Sequence, residues 1–197
     1  MTALNKIEEA EFFLRKMRES YRKEFIYYLS AFLSSTKSIP DYLLEEYNNK
    51  YKLNIPINRI LNAHIFEKRA RYGDHKEALR YIKFWKQRMK KLKSDAIGSF
   101  LFSKRNIAIH RIQPKPDITE VKMQLRVHEP SKVEVVFEPE GRVRVYETQK
   151  GKTPKIEVGS QQVDWFFKEY KKEPIITLCE KLLDNLKNFV YEAKKNF

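Results

Sequence analysis

The chain has 197 residues, 42% of them hydrophobic and 13% aromatic, so it can bury a core and is not intrinsically disordered. Its 40 Lys and Arg residues outnumber 26 Asp and Glu residues, which gives a formal net charge of +14. A single cysteine excludes a disulfide framework and a thiolate metal site, and no run suggests a signal peptide or a membrane span, so we expect a cytoplasmic protein without membrane association.

The positive charge is concentrated in the first part of the chain. Residues 1–113 hold 24 basic and 12 acidic side chains, whereas residues 114–197 hold 16 and 14. The densest run extends from Lys68 to Lys93, with 11 basic residues and two acidic ones. Such a run is typical of proteins that bind RNA or DNA, but taken alone it is explained equally well by a solvated helix face.

Apolar residues recur at helical spacing along this first part. The predicted helices cover residues 4–18, 21–37, 75–92 and 96–111. Pro40 is expected to end or kink the second helix, after which Asp41 can cap a short continuation through Tyr47 that Asn48 and Asn49 stop. A short helix is expected between Ile60 and Phe66. Either Ser94 or Asp95 is expected to cap the helix that starts at residue 96. Helices of this length, joined by short loops, predict a mainly α-helical chain with an up-and-down antiparallel bundle.

The pattern changes after the segment Gln113–Asp117, whose two prolines predict a stiff linker. Apolar residues then alternate with polar ones, which predicts a β-hairpin or a three-stranded antiparallel sheet, followed by C-terminal helices. The predicted strands lie within residues 121–127, 133–137 and 143–145, and the predicted helices cover residues 161–170 and 174–195. We therefore expect a helical bundle over residues 1–113 and a small α+β region over residues 118–197.

Three residues near the end of the predicted helix 96–111 are candidates for catalysis: Arg105, Asn106 and His110. The arginine-to-histidine spacing alone is weak evidence, because similar spacings occur elsewhere in the chain. Arg59 precedes His64 by five residues, and Arg69 precedes His75 by six. Of these, only the pair Arg105 and His110 has a polar residue directly after the arginine and stands at the end of the helical region.

These residue types suit the cleavage of RNA, which carries its own nucleophile in the 2′-hydroxyl group. A histidine can transfer the protons because its pKa lies near neutrality, and an arginine can bind phosphate oxygens through two hydrogen bonds. No cluster of residues has metal-ligand spacing, so no metal or cofactor is expected. The alternative is structural, since His110 near a helix C-terminus is favoured by the helix dipole and Asn106 can satisfy backbone groups.

The geometry of a helix separates the candidate residues. Asn106 and His110 are four residues apart and share a face, whereas Arg105 lies about 140° around the axis from His110. The site therefore needs a long reach by Arg105 or a contribution from elsewhere. A second copy of the chain, related by a two-fold axis, would supply it, so we expect a homodimer.

Residues 3–112 resemble the HEPN superfamily. The resemblance lies in the motif Arg105-Asn106-x-x-x-His110 and in the segment Phe25–Ser38, which is similar to the long central helix of bacterial and archaeal HEPN-like proteins. It implies a helical bundle that dimerises and brings two motifs into one cleft. It also implies metal-independent cleavage of RNA by Arg105, Asn106 and His110, in a toxin–antitoxin or defence system with a nucleotidyltransferase antitoxin as partner. The β-containing region departs from the minimal toxins.

Five lysines are the expected contacts to nucleic acid. They are Lys37, Lys83, Lys86, Lys90 and Lys104. The sequence thus supports three functions: an endoribonuclease of HEPN type, a non-catalytic module that binds nucleic acid or protein, and a purely structural partner subunit. The motif places the endoribonuclease ahead of the non-catalytic module. The structural subunit is favoured only if the basic surface has no role.

Overall fold

The structure is a computed structural model, and the chain is mainly α-helical. The residues that it describes are 1–20, 22–56, 62–101, 103, 116–126, 133–137, 143–147, 157–167, 170 and 172–197. The helices are α1 (Ala3–Glu19), α2 (Arg22–Lys50), α3 (Ala63–Tyr72), α4 (Lys76–Ser94), α5, with described residues 96–101 and 103, and α6 (Ile175–Asn196). The strands are β1 (Pro116–Arg126), β2 (Val133–Phe137), β3 (Val143–Glu147) and β4 (Glu157–Phe167).

The N-terminal helix forms as its sequence predicts. The Thr2 hydroxyl accepts a hydrogen bond from the backbone N–H of Asn5 at 3.2 Å, and the Asn5 side chain accepts one from the N–H of Thr2 at 2.9 Å. This reciprocal cap satisfies two backbone donors that a helix start leaves free. The buried face of α1 is Ala3, Ile7, Ala10, Leu14 and Met17, whereas Leu4 is exposed.

The second helix does not end at Pro40. It runs continuously from Arg22 to Lys50, so the prediction that it stops near residue 37 is wrong. Proline inside a helix costs about 3 kcal/mol, because one backbone hydrogen bond is lost. Burial of a large apolar side chain contributes about 1.5–3 kcal/mol, and several on both sides of Pro40 are fully buried. They include Phe32, Leu33, Ile39, Leu43 and Leu44. Packing along the whole face therefore outweighs the local defect.

The C-terminal helix α6 packs against α1, α2 and α4. Its apolar face is buried from Ile175 to Ala193 and includes Cys179. The hydroxyl of Tyr47 on α2 donates a hydrogen bond to the carbonyl of Ala193 at 2.7 Å, and the Tyr47 ring stacks on Tyr81 of α4 with centroids 3.9 Å apart. Burial raises the pKa of Tyr47 to about 12, so the hydroxyl keeps the proton that it donates.

This packing divides the chain differently from the predicted regions 1–113 and 118–197. One compact unit comprises Met1–Asp117 together with Phe166–Phe197, and the other comprises Ile118–Trp165. The physical reason is the apolar face of α6, which needs a partner surface and finds it on α1, α2 and α4. The smaller unit is therefore an insertion between α5 and α6.

The smaller unit is built from strand pairs. Strands β2 and β3 pair antiparallel, with Val135 opposite Val145, and β1 pairs with β4 in a second two-stranded sheet. The helix expected over residues 161–170 is wrong, because residues 157–167 form β4. Val163, Trp165 and Phe166 belong to residue types that favour strands, and pairing with β1 decides the conformation.

Among the described residues, no helix combines the length and the apolar character that crossing a membrane requires.

Candidate nucleic-acid interface

Helices α3 and α4 carry the densest positive charge of the chain. The side chain of Asn62 caps α3 by accepting a hydrogen bond from the N–H of Ile65 at 2.9 Å, and Gly73 ends the helix. Asp74, with a φ of 50°, then turns the chain into α4. One face of α4 is buried through Ala78, Tyr81, Ile82 and Leu92. The opposite face is therefore left to solvent.

Four cations form a stripe along that solvent face. The basic stripe consists of Lys76, Arg80, Lys83 and Lys90, which are all exposed. Their spacing of four, three and seven residues keeps them on one side of the helix over about 21 Å. None of them forms an ion pair with another residue of the described part of the chain. The stripe thus presents charges that can neutralise phosphates, and it contains the predicted contacts Lys83 and Lys90.

Lys86, a third predicted contact, is engaged within the protein. Its ammonium group forms an ion pair with Glu67 of α3, and Arg71 binds the same carboxylate at 2.6 Å. Hydrogen bonds from Lys86 and then from Arg71 lower the pKa of Glu67 to about 2. The carboxylate therefore stays charged at neutral pH and competes with phosphate for Lys86.

The fourth predicted contact, Lys37, lies in a groove between α2, α4 and α5. We call it the Trp85 groove, and its volume is about 530 Å³. Its walls are rows of residues one helical turn apart. They are Lys37 with Pro40 and Asp41 on α2, Trp85, Met89 and Lys93 on α4, and Ser99 with Ser103 on α5. The groove combines an aromatic ring with cations and hydroxyl groups at its sides.

Two local features place α5 against this groove. Asp95 caps the helix, since its carboxylate accepts a hydrogen bond from the backbone N–H of Gly98 at 2.9 Å. Gly98 is packed so closely that a Cβ there would overlap the carbonyl oxygen of Leu92 on α4. A residue without a side chain is therefore required where α5 leaves the end of α4.

The predicted catalytic residues Arg105, Asn106 and His110 lie outside the described residues, as does Lys104. The described part of α5 ends at Ser103, which lines the Trp85 groove and precedes Arg105 by two positions. Among the described residues, no three His, Cys, Asp or Glu side chains are grouped so that they could hold a metal ion. Burial raises the pKa of Cys179, so its thiol is a poor nucleophile.

Sequence reasoning missed Lys76, Arg80 and Lys93 as members of the interface. The signal for the first two was readable, because Lys76, Arg80 and Lys83 follow the spacing of one helix face. Lys93 was harder to find, since its position in the groove depends on how α5 packs beside α4. Comparisons with protein-family models, with curated proteins and with solved structures find no match to this chain.

Proposed function

We propose that the protein binds single-stranded RNA along the basic stripe and the Trp85 groove and cleaves it as a metal-independent endoribonuclease of HEPN type. The observation that carries the proposal is the position of the groove. Cations and an aromatic ring lie beside Ser103, two residues before the motif Arg105-Asn106-x-x-x-His110. A strand of RNA held there would lie two residues along the sequence from the proposed catalytic motif.

In the proposed reaction, the 2′-hydroxyl of the RNA attacks the adjacent phosphorus, and the 5′-oxygen of the next nucleotide leaves. His110 transfers protons as general acid or base, and Arg105 stabilises the charge on the phosphate oxygens. Asn106 orients the histidine or donates a hydrogen bond to the phosphate. The products are a 2′,3′-cyclic phosphate and a 5′-hydroxyl end, and the reaction needs no metal ion.

The proposal includes a homodimer in which two helical units share one cleft. In the helix that the sequence predicts over residues 96–111, Arg105 and His110 would lie about 140° apart, so a second copy would complete the site more readily than one copy alone. The resemblance to HEPN proteins extends the proposal to a toxin–antitoxin or defence setting with a nucleotidyltransferase antitoxin.

A non-catalytic nucleic-acid-binding module is the second candidate. A specific observation favours it: the exposed cations of the basic stripe and the aromatic ring of the Trp85 groove are features that bind a polyanion without help from the motif. In this case we propose that the inserted unit, Ile118–Trp165, binds another protein. The two candidates share the binding surface and differ only in the role of Arg105 and His110.

Cleavage of labelled single-stranded RNA in EDTA distinguishes them. We expect the full-length protein to cut, and we expect His110→Ala and Arg105→Ala each to lose about 10²-fold or more of the rate while still binding RNA. Binding without cleavage by the unaltered protein would refute the nuclease and leave the binding module. Absence of salt-sensitive binding would refute both.

The chain supplies its own matched control for this experiment. Arg69 and His75 have a similar spacing, and the His75 side chain makes no capping hydrogen bond at the start of α4. His75→Ala should therefore cleave at the unaltered rate. A substrate with 2′-O-methyl groups should remain intact with every variant, because it lacks the attacking hydroxyl.

A further inference from the structure

We infer that the Trp85 groove is a subsite for one nucleobase of a single-stranded nucleic acid, with the indole of Trp85 as the stacking surface. The inference rests on the proposed function for the identity of the polymer and deepens it by assigning a base-binding residue. Trp85 is half-buried, and its N–H donates a hydrogen bond to the carbonyl of Pro40 at 3.2 Å.

That hydrogen bond fixes the indole of Trp85 against α2. The only polar atom of the ring is satisfied by the main chain of α2, so the ring has no need of a polar ligand and is held in one orientation. Tyr81, one turn earlier on α4, is fully buried and belongs to the core. Of these two rings, Trp85 is the one that lines an open groove and can offer a face to a base.

The size and the polar groups of the groove suit a nucleotide. Its volume of about 530 Å³ lies within the range of roughly 300–1,000 Å³ that small-molecule sites occupy. Ser99 and Ser103 lie on the α5 side, and hydroxyl groups both donate and accept hydrogen bonds, which suits the varied edges of bases. The combination of a stacking ring with adaptable hydroxyls is typical of sequence-tolerant binding to single strands.

Lys93 provides the phosphate contact of this subsite. It lies eight residues after Trp85, which corresponds to about 12 Å along the helix axis. The ammonium group is exposed and makes no ion pair with the described residues. A base stacked on Trp85 would therefore leave its backbone within reach of Lys93, and the next phosphates would continue toward the basic stripe.

Tryptophan fluorescence tests the stacking directly, since base stacking quenches indole emission. The chain contains two tryptophans, so Trp165→Phe leaves Trp85 as the sole reporter. The probes are a 2′-O-methyl oligouridylate, which the proposed reaction cannot cleave, and an abasic sugar–phosphate oligomer of equal length. We expect strong quenching by the first and none by the second, although both bind through charge. Equal quenching by the two oligomers, or binding of the oligouridylate without quenching, overturns the subsite.

Two further measurements keep the test informative if Trp165→Phe fails to fold. Trp85→Ala in the otherwise unaltered protein should weaken binding of the oligouridylate about tenfold or more and leave binding of the abasic oligomer unchanged. Photo-crosslinking of a 5-iodouridine oligomer to the unaltered protein should label the peptide that contains Trp85. Labelling confined to other peptides overturns the subsite.

Lys83→Gln is the matched control, because it belongs to the stripe and not to the groove. It should lower the affinity for both oligomers and leave the quenching at saturation unchanged. If neither oligomer binds the unaltered protein at any salt concentration, both the subsite and the proposed function fail. If both oligomers bind and Trp85 is unaffected, the subsite alone fails.

Discussion

The indole N–H of Trp85 donates a hydrogen bond to the main-chain carbonyl of Pro40, with an N–O distance of 3.2 Å. Pro40 has no N–H of its own, so α2 loses one hydrogen bond of its ladder at this residue. The carbonyl of the same residue joins α2 to α4 by accepting the hydrogen bond from the indole. A sequence element that locally weakens α2 thus orients the ring that we assign to base stacking.

Release of Lys86 from its internal partner should strengthen RNA binding. Glu67→Gln removes the charge that pairs with Lys86 and Arg71, so both cations become available to phosphate. The energy of such an exposed pair is about 0.2–1 kcal/mol, which predicts an affinity gain of about 1.4- to fivefold at low salt. Fluorescence anisotropy with labelled single-stranded RNA measures it.

Glu8→Gln is the control for this gain, because it changes the net charge by the same amount at an exposed position on α1. An equal gain for Glu8→Gln would mean that overall charge, and not the release of Lys86, sets the affinity.

The same carboxylate predicts how stability depends on pH. The pKa of Glu67 is lowered to about 2 in the folded protein, from an ordinary value of 4.5. The charged form is therefore favoured by folding, and its contribution is fully present above pH 4.5 and is lost as the pH falls toward 2. Glu67→Gln should be less stable than the unaltered protein by about 0.5–1 kcal/mol at pH 7, and the difference should vanish near pH 2. Urea unfolding across this range measures it, and a difference that is independent of pH contradicts the assignment.

Gly98→Ala should destabilise the protein, although alanine is normally the better helix former. Substitution of glycine by alanine inside a helix ordinarily stabilises by roughly 0.5–1 kcal/mol. At Gly98 the added Cβ would overlap the carbonyl oxygen of Leu92, which is main chain and cannot move alone. We expect a loss of about 1–3 kcal/mol and, because α5 is displaced, weaker RNA cleavage.

Gly73→Ala is the matched control, because the added Cβ would come too close to the side chain of His75, which can rotate away, and would make an ordinary contact with the carbonyl oxygen of Arg69. It should lower the thermal midpoint much less than Gly98→Ala. If the two substitutions have equal effects, the close approach of α5 to α4 is not what requires glycine at residue 98.

The loop after α2 should depend on one amide side chain. Asn48 is buried, donates to the carbonyl of Ile55 at 3.1 Å and accepts from the N–H of Ile55 at 3.2 Å. Asn48→Ala leaves both backbone groups of Ile55 without these partners, which should cost about 2–3 kcal/mol. Tyr47→Phe removes one hydrogen bond from a carbonyl that also accepts from the N–H of Phe197, so about 1 kcal/mol is expected. Urea unfolding ranks the two variants, and the reverse order would contradict this account.

Periodicity in the sequence was enough to predict α1, α4 and α6, since each buries one stripe at helical spacing. It failed at Pro40 and at residues 161–170, where distant partners override local preference: the helices packed on α2, and the strand β1 paired with β4. For the candidate interface, charge alone singled out Lys83 and Lys90, and their contact with nucleic acid stays a prediction. The pairing of Lys86 with Glu67 and the groove around Trp85 could not be predicted, because both depend on contacts between separate helices.

Each cation removed from the basic stripe should weaken the salt dependence of RNA binding by a fixed amount. In a plot of the logarithm of the binding constant against the logarithm of the salt concentration, each phosphate contact to a single strand contributes about −0.7 to the slope. Lys83→Gln combined with Lys90→Gln removes two exposed cations, so the slope should become shallower by about 1.4. The control combines Lys16→Gln on α1 with Lys187→Gln on α6. This variant should leave the slope nearly unchanged, because both lysines are paired with glutamates and neither belongs to the stripe. Filter binding between low and moderate salt gives both slopes. A shallower slope for both pairs would show that RNA contacts the helical unit without using α4 as its surface.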